Sequence, residues 1–334
     1  MNFLRSLRAL FVLMLIGGIV VFNSCKEKDN GDPPIENKPV AIQAEQVYKS
    51  SFLARWDTVE QATGYKLYVS TSQNFNTHVL GFDGRDVGKV SRAFAFNLQG
   101  NTKYYYRVKA MFESSESGFS NTIELTTNGN AQLPNSNFEV WQDFDRYMEP
   151  APRGYWATPN KVADLLVFLD PPPVMVERTT DAYSGSYAAR ISTFMPADSS
   201  LPLMTGTVAT GIFEVDWNNM VESLKQGMPF TSRPSAFKGY YKYLPVKGDS
   251  CNIYAHLTRW NEAAGEREFV AKAQIPVNDV TVESYTGFNL PFNYLTQDNP
   301  DTIIMIFVSS AGGDDFMGHA GSALYIDDIS LIYE

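Results

Sequence analysis

Five aromatic side chains are the residues of this sequence best suited to hold a ligand: Trp141, Tyr155, Trp156, Trp217 and Trp260. The flat rings of tryptophan and tyrosine stack on the C–H patches of a pyranose sugar, and a few neighbouring polar groups orient its hydroxyls. Trp156 and Trp217 lie in polar, loop-like stretches and are the preferred candidates. Most tryptophans of a β-sandwich are core residues, so a core position is the alternative for each. For Trp141, beside an opening strand, we expect that alternative.

The motifs of common catalytic sites do not occur in the sequence. It contains no Gly-x-Ser-x-Gly elbow, no phosphate-binding glycine loop and no His-Glu-x-x-His. A glycosidase needs two carboxylates that face each other across the scissile bond. The pairs Asp314-Asp315 and Asp327-Asp328 do not fit, because adjacent strand residues point to opposite faces. The three histidines are isolated. The sequence therefore favours binding without catalysis, with a glycoside hydrolase as the weaker alternative.

Composition excludes several classes of protein. The 334 residues carry a formal net charge of −10, and 44% are hydrophobic, 13% aromatic and only 19% charged. Low charge with many glycines, prolines and tyrosines favours an all-β fold over helical bundles. Nucleic acid is excluded as a partner because phosphate binding depends on clustered lysine and arginine. Three histidines and two cysteines are too few for a usual zinc site.

The N-terminal residues predict export and membrane anchoring. Arg5 and Arg8 precede an apolar run that ends shortly before Cys25, which is typical of a secretory signal. The segment resembles a bacterial lipoprotein signal peptide over residues 1–24, with Cys25 as the lipidated first residue and a tether over 25–37. The resemblance implies a lipid-anchored protein of the outer membrane, exposed at the cell surface. A transmembrane helix is the alternative, but the run is shorter than the roughly 20 residues that a bilayer requires.

Residues 38–128 alternate apolar and polar side chains with the period of β-strands. Three in-phase apolar sets mark three of the strands: Phe52, Ala54 and Trp56; Tyr65, Leu67 and Val69; and Tyr104, Tyr106, Val108 and Ala110. Short strands at this spacing predict an antiparallel sandwich of about 100 residues. The order of Trp56, Tyr65 and Tyr104 resembles that of the fibronectin type III family. The resemblance implies an immunoglobulin-like spacer domain, with the Tyr104 hydroxyl bonded to backbone upstream.

A second all-β unit is predicted over residues 135–334, after a turn-rich connection. Apolar residues mark four of its strands, at 187–191, 237–243, 303–308 and 324–333. In the last strand the apolar residues change phase, and a bulge at Asp327-Asp328 would return both sets to the core. Cys251 lies in a strand-like stretch and is expected to be a buried thiol, not a nucleophile.

The motifs of this second unit resemble those of two related families. An opening Phe138-Glu139, a Ser184-Gly185-Ser186 turn and a closing Ile326-Asp327-Asp328 are similar to those of jelly-roll carbohydrate-binding modules. Further motifs in matching order, among them Gly239-Tyr240-Tyr241 and Gly321-Ser322, narrow the resemblance to the putative carbohydrate metabolism domain of bacterial surface lipoproteins. The resemblance implies a jelly-roll β-sandwich and a link to carbohydrate.

The jelly-roll resemblance also implies a structural calcium ion. In such modules the opening glutamate, oxygens around the Ser-Gly turn and the first closing aspartate meet where the first and last strands join. The matching acidic residues here are Glu139, Asp181 and Asp327. Calcium takes six to eight oxygen ligands, which carboxylates and backbone carbonyls supply. The alternative is that these are ordinary acidic residues of turns and strand edges.

Together these features predict a surface-anchored lipoprotein. The first sandwich would hold the jelly roll away from the membrane, and the jelly roll would bind a glycan or glycoconjugate without cleaving it. The alternative is a structural or adhesion protein, such as a fimbria-like component, that binds another protein of the cell envelope. Sugar binding predicts exposed tryptophan in a groove, whereas adhesion predicts a flat apolar patch or an open strand edge.

Overall fold

The computed structural model describes residues 37–198, 200–216, 220–275 and 279–333. In this part of the chain the regular structure is almost entirely β, with 22 strands, one four-residue α-helix and three short 3-10 helices. The all-β fold class predicted from the sequence is confirmed. No helix among these residues is long and apolar enough to cross a membrane. The predicted signal peptide, Cys25 and Trp217 lie outside the described residues.

Seven strands form the first sandwich. They are β1 (Ala41–Glu45), β2 (Ser51–Trp56), β3 (Gly64–Ser70), β4 (Asp83–Gly88), β5 (Arg92–Phe96), β6 (Lys103–Met111) and β7 (Ile123–Thr126). One antiparallel sheet has the order β1-β2-β5 and the other has the order β4-β3-β6-β7. The sheets meet through aromatic side chains: the rings of Phe52 and Tyr106 lie 5.5 Å apart, and those of Trp56 and Tyr65 lie 5.6 Å apart.

The predicted alternation of the first sandwich is confirmed. All three in-phase sets are buried, because each strand presents every second side chain to the opposite sheet. The intervening Lys66, Arg107 and Lys109 are only partly covered. The backbone N–H of Gln99 donates a hydrogen bond of 2.9 Å to the hydroxyl of the buried Tyr104, as predicted. This bond ties the loop before β6 to the core.

Fifteen strands follow the first sandwich. They are β8 (Trp141–Asp143), β9 (Met148–Pro150), β10 (Trp156–Ala157), β11 (Val176–Thr179), β12 (Ala188–Ser192), β13 (Thr207–Phe213), β14 (Leu224–Gln226), β15 (Met228–Pro229), β16 (Ala236–Leu244), β17 (Asn252–Asn261), β18 (Glu266–Gln274), β19 (Val282–Pro291), β20 (Asn293–Tyr294), β21 (Thr302–Val308) and β22 (Ala323–Ile332). The helices are α1 (Val162–Leu165) and 3-10 turns at Pro159–Lys161, Met220–Ser223 and Gly313–Asp315.

These strands make a second, larger sandwich. Its large sheet has the order β10-β13-β21-β17-β18-β20, with β14 paired to β13 and β15 paired to β21. Its small sheet has the order β11-β12-β22-β16-β19, and β8 and β9 form a separate hairpin. Fully buried side chains from both sheets, among them Phe237 and Tyr243 of β16 and Phe307 of β21, belong to one core. The second sandwich predicted from the sequence is thus present.

The predicted bulge in the last strand is confirmed. Tyr240 of β16 pairs with Asp327 and Lys238 pairs with Ser330, so β22 carries an extra residue between these pairs. Asp328 has the positive φ of 51°, a conformation that aspartate tolerates better than most residues. The bulge turns both apolar sets of β22 inward, and Leu324, Ile326, Ile329 and Leu331 are all buried.

The connection between the sandwiches is packed onto the last strand. The side-chain amide of Gln132 donates a hydrogen bond of 2.6 Å to the Leu331 carbonyl and accepts one of 2.7 Å from the Leu331 N–H. Leu133 is buried, and the ring of Tyr155 lies 5.8 Å from that of Phe96 in β5. The two sandwiches therefore share a continuous apolar core.

Candidate functional site

Three of the five predicted ligand-binding aromatics lie in the core. Trp156 is 1% exposed, and its indole N–H donates to the Pro134 carbonyl at 2.7 Å. Trp141 is buried with its indole N–H on the Phe138 carbonyl, and Tyr155 is buried between the sandwiches. The rings of Tyr155 and Trp156 present no face to a sugar, so the structure corrects these two positions to core residues, and Trp141 has the core position expected for it.

Among the predicted aromatic residues that the structure describes, Trp260 is the accessible one. It is 46% exposed, near the end of β17. Tyr254, His256 and Thr258 share its face of the strand, because side chains of a strand alternate. The core face carries Ile253, Ala255 and Leu257, which are all buried. Trp260 therefore projects from the outer face of the large sheet, where the preceding polar and aromatic residues of β17 also lie.

The neighbouring strand β18 adds an aromatic ring to this outer face. Thr258 pairs with Phe269 and Trp260 pairs with Arg267, and directly opposed residues in an antiparallel pair share a face. Phe269 is 42% exposed. The ring of His256 lies 5.1 Å from that of Phe269 and 4.7 Å from that of Tyr254. We call these four residues, Tyr254, His256, Phe269 and Trp260, the aromatic band.

A lysine side chain lies against the rings of the aromatic band. The Lys272 ammonium lies 3.5 Å from the centre of the Phe269 ring. Burial, with the charge of Lys272, lowers the pKa of His256 to about 4, so the imidazole is neutral near pH 7. Neutral rings with flanking hydrogen-bonding groups match the apolar floor and few polar contacts of a small-ligand site.

The carboxylates closest to the band are held by arginine. The Asp301 carboxylate accepts a hydrogen bond of 2.7 Å from the backbone N–H of Trp260 and forms an ion pair with Arg267 at 2.7 Å. Burial opposes ionisation of Asp301, but bonds from Thr302 and Trp260 and the charge of Arg267 hold its pKa below the ordinary value. Glu268 pairs with Arg259 at 3.2 Å. Both carboxylates are thus engaged by arginine, and Asp301 fixes the backbone of β17 at Trp260.

The signal for the band was present in the sequence. The alternation of Tyr254, His256, Thr258 and Trp260 with small or apolar residues marks one face of a strand. Sequence reasoning missed Tyr254, His256 and Phe269 as site residues because it judged each tryptophan by its immediate sequence neighbours. Phe269 comes next to Thr258 only through the pairing of β17 with β18.

An apolar cavity opens on the same outer face of the large sheet. Its volume is about 370 Å³, and Thr207 and Val308 contribute to its lining. These two residues pair with each other, and Val308 also pairs with Asn252, which lies two positions before Tyr254 on one face of β17. The rest of the lining is mostly apolar, including Leu166, Leu203 and Phe213. On this face the cavity therefore lies at β13 and β21, and the aromatic band lies at β17 and β18.

The three acidic residues predicted to bind calcium gather around one loop, residues 183–187. Asp327 accepts hydrogen bonds from the N–H groups of Tyr183 at 2.8 Å and Ser184 at 3.0 Å. Glu139 accepts from the N–H groups of Ser186 at 2.8 Å and Tyr187 at 2.9 Å. The loop is thus held from both sides, where the predicted first and last segments of the domain meet.

Gly185 is required at the centre of this loop. Its φ is 66°, and a Cβ atom there would lie 2.3 Å from Oε1 of Glu139. Both the backbone conformation and the close approach of the carboxylate exclude a side chain. The Ser-Gly-Ser motif is therefore explained by the contact with Glu139.

These acidic residues, as they are arranged, do not fit a shared calcium ion. Glu139 and Asp327 direct oxygens at N–H donors, and the Asp181 carboxylate pairs with the ammonium of Lys242, whose side chain is only 11% exposed. A calcium site needs oxygens that converge on one point, and an ammonium beside it would repel the ion. Among the residues described, no group of three or more histidine, cysteine or acidic side chains is close enough to hold a metal.

A thermal scan tests calcium directly. Because backbone N–H groups already occupy Oε1 of Glu139 and both carboxylate oxygens of Asp327, we expect the melting temperature to be the same in excess chelator and in millimolar calcium. The measurement is differential scanning calorimetry of the purified protein in both buffers, with magnesium as the matched salt control. A rise in melting temperature with calcium alone would show that the acidic residues rearrange around the ion, as the family resemblance implied.

Cys251 is a buried free thiol, as predicted. It is 2% exposed, and burial raises its pKa to about 12. A nucleophilic cysteine needs a lowered pKa and an accessible sulfur. Cys251 therefore serves packing and carries no chemistry.

The fold and the site define a class: two joined antiparallel β-sandwiches, with an exposed aromatic band on the outer face of the larger one. More particularly, the chain belongs to the family described as "Putative carbohydrate metabolism domain", which matches residues 96–332. The family predicted from the sequence is thus confirmed. The match begins in β5, so it includes the last strands of the first sandwich as well as the second. No curated protein matches the sequence.

Two solved structures are similar to this chain. A putative glycoside hydrolase from Bacteroides thetaiotaomicron is 19% identical, with 89% of this chain and 92% of that chain covered and a TM-score of 0.53. A putative glycoside hydrolase from Bacteroides vulgatus is 20% identical, covering 59% of this chain and 97% of that chain with a TM-score of 0.47. The first likeness shows a shared fold over most of both chains.

Proposed function

We propose that this protein is a non-catalytic glycan-binding lipoprotein of the cell surface. In this proposal Cys25 carries the lipid, the first sandwich is a fibronectin type III spacer, and the second sandwich binds a glycan or glycoconjugate. Membership of a family connected with carbohydrate metabolism supports the link to sugar. The lipid anchor and the spacer role rest on the sequence resemblances.

The observation that carries the binding proposal is the aromatic band. Trp260 and Phe269 are 46% and 42% exposed on neighbouring strands of one face. Exposed rings on a rigid sheet can stack on successive sugar units without reordering the chain, which keeps the entropic cost of binding low. The position of the rings on strands, not on loops, also keeps their spacing constant.

Hydrolysis is the second candidate, because the structure that shares the fold is described as a putative glycoside hydrolase. The band itself argues against it, since Asp301 and Glu268 are both ion-paired with arginine. A reducing-sugar release assay on any glycan that binds would test catalysis independently. Release of sugar above the rate of a boiled control would replace the binding proposal with a hydrolase.

Loss of binding in ring-deletion variants tests the band. We expect Trp260→Ala and Phe269→Ala each to weaken binding of a glycan identified on an array by about tenfold or more. The matched control is Tyr183→Ala, which removes a ring of 45% exposure that stacks on Tyr240 of the small sheet. Because His256 is neutral well below pH 7, affinity should stay constant between pH 5 and 8.

Two results would count against this proposal. One is an array without any signal from a correctly folded protein. The other is an identified glycan that binds equally to the native protein, Trp260→Ala and Phe269→Ala. In the second case the glycan would bind elsewhere, and a protein partner that contacts this flat patch would become the better explanation for the exposed rings.

A further inference from the structure

A cleft between the two sandwiches brings together three arginine side chains that the aromatic band does not use. Its volume is about 270 Å³, and it lies between strands β4 and β5 of the first sandwich and the β8–β9 hairpin of the second. Arg85, Arg92 and Arg153 line it, and Asp86 is the single acidic residue in its described lining. In a chain of net charge −10, this is a local concentration of positive charge.

The arginines retain most of their donors. Nη2 of Arg85 donates to the Arg153 carbonyl at 2.9 Å, and Nη2 of Arg92 donates to the Glu139 carbonyl at 3.3 Å. Each guanidinium has five N–H donors, so these bonds across the cleft use only a fraction of them. The arginines that form ion pairs within the described ranges are others, namely Arg55, Arg190, Arg259 and Arg267.

The Arg85 guanidinium is partly covered and forms no ion pair within the described ranges, whereas the charge of Arg153 also acts on Glu149. The Arg85 guanidinium lies over the rings of Phe82 and Phe96, 5.3 and 4.8 Å from their centres. Burial and the nearby charge of Arg153 lower the pKa of Arg85. The partly desolvated Arg85 and the exposed Arg153 repel each other, and an anion between them would reverse the sign of that interaction.

We propose that this cleft binds the anionic group of an acidic sugar, a carboxylate or a sulfate ester. Guanidinium groups bind planar and tetrahedral oxyanions through paired N–H donors, which a lysine cannot reproduce. The volume lies slightly below the range of drug-sized pockets and suits one sugar unit. The site shares no residue with the aromatic band. It would therefore make the protein selective for charged glycans, whereas the aromatic band stacks on sugar rings of any charge.

Calorimetric titration of the purified protein tests the proposal, with galacturonate, glucose 6-sulfate and neutral glucose as probes. We expect saturable binding of at least one acidic probe, no saturable binding of glucose, and weaker binding as sodium chloride screens the charges. The double variant Arg92→Gln/Arg153→Gln should lose about tenfold or more in affinity, because paired charge-assisted bonds are removed. Both side chains are exposed, so the variant should fold. Arg55→Gln, in the same sandwich but outside the cleft lining, is the matched control.

The outcomes separate this site from the aromatic band. Acidic probes should still bind the double variant Trp260→Ala/Phe269→Ala with native affinity. Preference for galacturonate would identify a carboxylate as the ligand group, and preference for glucose 6-sulfate would identify a sulfate. Absence of saturable binding for both acidic probes would overturn the proposal, and so would equal affinity in the native protein and the Arg92→Gln/Arg153→Gln variant.

Discussion

Replacing Trp156 with alanine is expected to lower the free energy of unfolding by about 3–5 kcal/mol. The side chain is among the largest that are fully buried, and its ring lies 5.4 Å from that of Phe138 and 5.9 Å from that of Tyr155. The substitution leaves a cavity of ring size and removes the bond from the indole N–H to the Pro134 carbonyl. Because Tyr155 contacts Phe96 of the first sandwich, the loss should also loosen the joint between the sandwiches.

Urea unfolding followed by circular dichroism measures this effect, and Trp260→Ala is its matched control. That variant removes the same side chain from a half-exposed position, so we expect a change within about 1 kcal/mol. The two substitutions therefore have different expected effects: Trp156→Ala should lower stability, and Trp260→Ala should weaken glycan binding. Equal and small losses of stability in both variants would contradict the core position of Trp156.

Asp327→Ala is expected to cost about 3 kcal/mol, the second large loss of stability. The carboxylate is buried and accepts three backbone bonds, from Tyr183, Ser184 and Asp328. Alanine would leave these donors without a partner and release the 183–187 loop from β22. Burial outweighs these bonds and raises the pKa of Asp327 to about 6. Burying an ionised carboxylate is itself unfavourable, and alanine removes that cost. The expected loss of stability is therefore smaller than the sum for three backbone N–H groups left without an acceptor.

Asp328→Asn is the control for this variant, because it changes the adjacent acidic residue and asparagine tolerates the left-handed backbone at that position. We expect it to alter stability by less than about 1 kcal/mol. Urea unfolding of the three proteins at pH 7 gives the comparison. If Asp327→Ala unfolds at the same urea concentration as the native protein, the 183–187 loop is held by Glu139 alone and the carboxylate of Asp327 is dispensable.

Much of the fold could be predicted because strand period and burial are local properties of the sequence. The apolar phase of β2, β3 and β6 identified the core face of each strand. The phase change in β22 also located the bulge at Asp327-Asp328, since only an extra residue can keep both apolar sets facing the same core. These inferences needed no knowledge of which strands are neighbours.

The site could be predicted only in part, because exposure of a ring depends on residues far away in the chain. Trp156 has polar neighbours in sequence, yet Pro134 and Phe138 cover it in space. Trp260 has the accessible ring that the sequence associated with Trp156. The three acidic residues predicted around one loop do meet there, but which groups their oxygens face was beyond sequence reasoning.

The sequence by itself determined an all-β chain, two sandwiches and the core faces of the main strands, because alternation with period two follows from the geometry of a single strand. The order of its motifs also identified the family. Tertiary structure alone decided which tryptophan faces solvent and that backbone N–H groups face Glu139 and Asp327. It also decided that Arg85, Arg92 and Arg153 share one cleft. Each of these depends on pairing between distant strands or on contact between the two sandwiches, and no local pattern of residues specifies such contacts.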